Sequence, residues 1–175
     1  MAKSINVFLV GPMGSGKTAV GRQLGRRLRM EFADTDDEIE RRTGVDIPYI
    51  FEKEGESGFR ARERAVIDEL TRREGLVLAT GGGAVLDPDN RACLRGRGRV
   101  VYLRASVNQQ LARTRRSENR PLLKTPEPRT TLDRLMEVRA PLYESVADIT
   151  VDTDGRKVKS VVDEIAASLA AGGVD

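Results

Sequence analysis

Two hydrophobic patterns alternate along this chain. Five short apolar runs, Ile5–Val10, Glu31–Asp34, Leu76–Thr80, Arg99–Leu103 and Asp148–Asp152, predict strands. The first and fourth, INVFLV and RVVYLR, are rich in β-branched residues, which suit buried strands. Between the runs the spacing becomes helical. Lys17–Arg29 places Val20, Leu24 and Leu28 on one face, and Gly21 and Gly25 beside it allow close approach to a sheet. Asp36–Thr43 and Gly58–Arg73 read as further helices, the second with Ala61, Ala65 and Val66 near one face. Asp87-Pro88 reads as an N-cap and first helical residue, and Ser106 as the cap of a helix running to Arg115. Lys157–Ala171 closes the pattern before Gly172-Gly173. Strands alternating with helices predict an α/β chain with a parallel sheet covered on both faces. Ser117–Arg129, with Pro121, Pro126 and Pro128, breaks the pattern and predicts a long mobile loop between two helices, with a lid as its natural role.

Composition narrows the chemistry. The chain has 175 residues, which fits a single domain. It holds no histidine and a single cysteine, Cys93, so imidazole chemistry, an internal disulfide framework and a four-cysteine metal site are excluded. The first apolar run is shorter than the about 7–15 residues of a signal-peptide core and the about 20 of a membrane helix, so the expectation is a cytoplasmic protein without a membrane partner. The net charge is +3, and residues 113–129 alone hold six Arg or Lys against two carboxylates. The positive charge is therefore one local anion-facing segment rather than a stripe. With aromatics at 4% there is no platform for base stacking, and no nucleic-acid partner is expected.

Three motifs carry chemistry. Gly11-Pro12-Met13-Gly14-Ser15-Gly16-Lys17-Thr18 fits G-x4-G-K-[ST] between a predicted strand and a predicted helix. Such a loop wraps phosphates with backbone amides and a helix N-terminus; its Lys reaches the β- and γ-phosphates, and its Thr hydroxyl binds magnesium. The third apolar run ends without an acid, so the second magnesium contact must come from elsewhere. Asp34-Thr35-Asp36 closes the second run, and an extended segment would turn both carboxylates the same way, one toward a metal through water and one toward a substrate hydroxyl. An acidic helix start explains these residues equally well. Gly81-Gly82-Gly83 follows the third run, where a parallel sheet places its ligands, although a plain connector has the same composition. Arg60 and Glu63 share a helix face, and Arg139 sits in VRAPLY; singly, each reads as a surface charge.

In order, GPMGSGKT, Asp34-Thr35-Asp36, IFEKEGESGFRARE at 50–63, TGGG at 80–83, NRPLL at 119–123 and RAPLYESVAD at 139–148 resemble the shikimate kinases over nearly the whole chain. The resemblance implies a three-layer P-loop kinase fold: a five-stranded parallel sheet flanked by helices, a substrate-binding helical region at about 36–63 and a lid at about 115–129. It implies a monomer that uses ATP and Mg2+ to phosphorylate the 3-hydroxyl of shikimate, in aromatic amino-acid biosynthesis. Gly14, Ser15, Gly16, Lys17, Thr18 and Ala19 would hold ATP, and Thr18 and Asp34 the metal. Asp36 would hold the hydroxyl and accept its proton. Arg60 and Arg139 would clamp the shikimate carboxylate, with Glu63 beside them, while Gly81, Gly82 and Gly83 approach the substrate through backbone. Arg120 on the lid would reach the transferring phosphoryl group. Arg113 and the 152–156 loop with Arg156 would lie against adenine. A related small-molecule kinase, such as one acting on gluconate, and a P-loop nucleic-acid-binding ATPase or regulator stay open as alternatives.

Overall fold

The computed structural model describes residues 4–114 and 126–172. Strands β1 (Asn6–Val10), β2 (Glu31–Asp34), β3 (Leu76–Ala79), β4 (Gly98–Arg104) and β5 (Ile149–Asp152) form one five-stranded sheet in the order β2-β3-β1-β4-β5. Every pairing is parallel. The connections are α1 (Lys17–Leu28), α2 (Thr35–Thr43), α3 (Ile47–Leu70), α4 (Pro88–Arg97), α5 (Val107–Thr114) and α6 (Pro128–Val146), and α7 (Val158–Gly172) follows β5.

Alternation along β1 and β4 divides the core between the two faces of the sheet. Phe8, Val10, Val100 and Tyr102 pack with residues of α3, α4 and α6; Val7, Leu9, Val101 and Leu103 pack with α1 and α7. Gly21 is required in α1: a Cβ there would run into the Phe32 ring. The amino ends of the strands are stitched by Asn6, which is 4% exposed. Its amide donates to Arg73 O at 2.6 Å, and its Oδ1 accepts from Leu76 N at 2.9 Å.

Two helices depart from the expectation. α3 starts eleven residues before Gly58, at Ile47, where Asp46 caps it by accepting from Tyr49 N. Gly55 (φ 73°, ψ −179°) kinks it and separates the expected Gly58–Arg73 segment from the first part of the helix. Its buried face is Phe59, Glu63, Val66, Ile67 and Leu70, whereas Ala61 and Ala65 are exposed, which corrects the predicted face. The expected lid falls mainly on 115–125, outside the described residues, and its last positions already belong to α6, which begins at Pro128. No helix among the described residues is long and apolar enough to cross a membrane.

Candidate active site

The loops leaving β1 and β3 converge with the end of β2 on one cavity of about 450 Å³. Its floor is the 11–18 loop. Gly14 and Gly16 adopt φ of 79° and 90°, a region that suits glycine, so the chain doubles back and α1 begins with its amides directed at the cavity. Ser15 is buried and closes the turn by donating to Pro12 O at 2.8 Å. Lys17 Nζ folds over the loop and donates to Gly11 O and Pro12 O at 2.7 and 2.8 Å. Ala19 lines the cavity one residue beyond Thr18.

Asp34 ties three elements together. Its Oδ2 accepts from Thr18 Oγ1 at 2.8 Å, while Oδ1 accepts from Asp36 N at 2.9 Å and Asp37 N at 3.3 Å. It is thus the last residue of β2, the N-cap of α2 and a partner of α1. The chain turns helical at Thr35, so Asp36 reaches the cavity from the first turn of α2 and not along an extended segment. The expected convergence of the two carboxylates is present, but by a different route.

The three glycines lie against the charged groups. A Cβ on Gly81 would be 2.9 Å from Glu63 Oε2 and 3.1 Å from Asp36 Oδ1. One on Gly82 would be 3.5 Å from Arg139 Nη1, and one on Gly83 would collide with the Arg60 guanidinium. Residues from α2, α3 and α6 therefore meet around one backbone segment. Arg60 donates to Glu63 Oε1 at 3.0 Å, and the Glu63 side chain is 1% exposed. Burial pushes the Glu63 carboxyl upward, against the pull of Arg60 and Arg139. Arg60 Nε and Glu63 Oε2 are buried without a hydrogen-bond partner among the described residues. Such orphaned atoms fit a ligand that brings both a carboxylate and hydroxyl donors.

A family model for shikimate kinase matches residues 13–170. The chain belongs to the shikimate kinase family. The shikimate kinase of Thioalkalivibrio sulfidiphilus is 57% identical over 165 residues, 94% of this chain and 87% of that one. That of Psychromonas ingrahamii is 53% identical over 169 residues, 97% and 99% of the two chains. Among solved structures, the shikimate kinase of Acinetobacter baumannii in complex with shikimate superposes with a TM-score of 0.96 at 49% identity, covering 98% of this chain and 96% of that one. This shikimate kinase is an ATP-using phosphotransferase of the shikimate pathway. That assignment sets aside the gluconate-kinase and nucleic-acid ATPase alternatives.

The remaining site residues divide. Arg113 reaches the loop itself: its Nη1 is 2.8 Å from where a Cβ of Gly16 would lie. Arg156 points elsewhere, its guanidinium held by Asp152 O, Ser160 and Glu164. Arg120 lies outside the described residues. Several groups of this shikimate kinase site escaped the sequence reading. Thr35 Oγ1 accepts from Gly81 N at 3.0 Å, the Tyr143 hydroxyl donates to Gly82 O, and Gln110 backs Gly14. Asp37, whose carboxyl is raised by burial and by Asp34, lines the cavity with Met13 and Glu40.

Proposed function

We propose that the chain transfers the γ-phosphoryl group of ATP to the 3-hydroxyl of shikimate in this cavity. The observation that carries the reading is the meeting of Asp36, Arg60, Glu63 and Arg139 around Gly81–Gly83, beside a P-loop. The ATP phosphates lie in the 11–18 loop, where amides, the α1 N-terminus and Lys17 face their charge. Thr18 and Asp34 fit a magnesium ion: a hydroxyl and one carboxylate are hard oxygen donors, and phosphates complete such a shell. The ion offsets phosphate charge when bound. Among the described residues there is no group of three or more acidic, His or Cys side chains that could hold a metal.

Arg60 and Arg139 pair with the shikimate carboxylate, and Glu63 keeps Arg60 in place. Asp36 accepts a hydrogen bond from the 3-hydroxyl and orients its oxygen toward the γ-phosphorus. As the new O–P bond forms and the bond to the β-phosphate oxygen breaks, the hydroxyl proton passes to Asp36 and ADP leaves. The transition state is loose, so positioning and positive charge do most of the work, with Lys17 and Arg120 supplying the latter. Gly81 and Gly82 approach the substrate through backbone, and Gly83 leaves room for Arg60. Arg113 flanks the nucleotide, and residues 115–129 act as the lid. The enzyme works as a monomer in the cytoplasm. In the test, Asp36→Ala should keep ATP affinity and lose at least about a hundredfold in turnover, as expected for a general base. Wild-type turnover in that variant would remove Asp36 from the reaction.

A further inference from the structure

Tyr143 lies wholly inside the protein, and the phosphoryl-transfer chemistry above gives it no task. It sits four residues after Arg139 on α6, so the two side chains share a face. Both are buried, at 0% and 4% exposure. The ring packs against Tyr102 with centroids 5.0 Å apart, which fixes its direction. The hydroxyl donates to Gly82 O. Burial raises its pKa although the neighbouring Arg139 guanidinium pulls it down, so it remains a neutral donor at physiological pH.

The rest of the glycine loop is pinned as well. Gly81 N–H is held by Thr35 Oγ1, Gly81 O by Ala84 N and Gly83 O by Leu86 N. Two donors are left over: the N–H groups of Gly82 and Gly83 have no hydrogen-bond partner among the described residues. Gly83 N–H belongs to the peptide whose carbonyl Tyr143 holds, and in a trans peptide these two groups point in opposite directions. A hydroxyl bound to Gly82 O therefore sets where the Gly83 amide points.

We infer that Tyr143 is a positioning residue for the acceptor site: its hydroxyl aims the Gly82–Gly83 peptide and steadies Arg139, so that the shikimate carboxylate and hydroxyls meet oriented donors. This rests on the acceptor-site reading above. A glycine segment has no side chain of its own to hold it, so its orientation must come from such contacts. The Tyr143 hydroxyl bonds the glycine loop and not the 11–18 loop, so the effect falls mainly on the acceptor.

The test is Tyr143→Phe in the full chain, with Tyr102→Phe as a control that alters the neighbouring ring. Tyr143→Phe should raise KM for shikimate about tenfold, the consequence of leaving a buried carbonyl unpaired and a donor misaligned. KM for ATP should stay within about twofold, as should both constants in Tyr102→Phe. A purely structural role would lower the melting temperature and leave both KM values in place, and would overturn the inference. If Tyr143→Phe does not fold, amide NMR of the wild-type enzyme decides: on titration with shikimate the Gly82 and Gly83 amides should shift, and their indifference would overturn it. Wild-type protein that does not phosphorylate shikimate would defeat the acceptor-site reading itself, a separate outcome.

Discussion

Gly83→Ala separates substrate recognition from folding in this enzyme. Gly83 has φ −98° and ψ 6°, which alanine adopts without strain, so the backbone tolerates the change. The three atoms nearest the added methyl all belong to the Arg60 guanidinium, with Cζ and Nη1 both at 2.7 Å. That group is the end of a long side chain and moves before the backbone does. Moving it removes one half of the proposed carboxylate clamp. A hydrogen bond to a charged group contributes about 1.5–3 kcal/mol, which corresponds to an increase in KM for shikimate of about 10- to 150-fold. KM for ATP should change by less than about twofold, because the atoms nearest the Gly83 methyl belong to Arg60 and not to the 11–18 loop. The assay is coupled ADP release with shikimate varied at saturating ATP, alongside a thermal melt. Unchanged KM for shikimate would refute the placement of Arg60 at the acceptor. A large fall in melting temperature would refute the claim that the side chain yields first.

Other expectations concern the frame. Asn6→Ala removes the stitch between the amino ends of the strands and leaves Arg73 O and Leu76 N without their partner, so unfolding in urea should show a loss of about 2–3 kcal/mol; a change below half of that would place the stitch elsewhere. Glu38 is held at a pKa of about 2 by its hydrogen bonds to Arg41 and Arg42. A depressed carboxylate contributes stability above its unfolded value of 4.5 and loses it as pH falls toward 2. Arg41 is 70% exposed, so solvent screening limits the pairing to about 1 kcal/mol. Glu38→Gln should therefore lower the melting temperature at pH 7, and the difference from wild type should shrink toward pH 3; a difference independent of pH would contradict the pairing.

The strands and most helices were legible because period and punctuation agree in them. Lys17–Leu28 follows a glycine loop and keeps Val20 and Leu24 on the buried face. Where polar residues lie inside, the pattern misleads. The buried face of α3 contains Glu63, so the apolar period is interrupted at the position where the site needs a charge. The small exposed residues Ala61 and Ala65 then imitate a core stripe. The first half of α3 was not predicted although Asp46 caps it and Pro48 sits in its first turn; Gly55, at φ 73°, separates it from the predicted helix. Asp36 reaches the cavity by a route other than the expected one: strand geometry was invoked where Asp34 caps a helix. Tyr143 and Thr35 stood in view without a role, since hydrogen bonds to Gly82 and Gly81 join residues 61 and 46 positions apart, and no local pattern encodes them.

The central claim is that this cavity brings the γ-phosphoryl group of ATP to one hydroxyl of shikimate. Its most direct test is ADP release by the purified protein with ATP and magnesium, comparing shikimate, quinate, gluconate, AMP and no acceptor, with the product identified by phosphorus NMR. The account predicts turnover with shikimate well above every other arm, and a single phosphomonoester on the 3-hydroxyl. Turnover as high with gluconate or AMP, or ADP release that does not depend on shikimate, would contradict it.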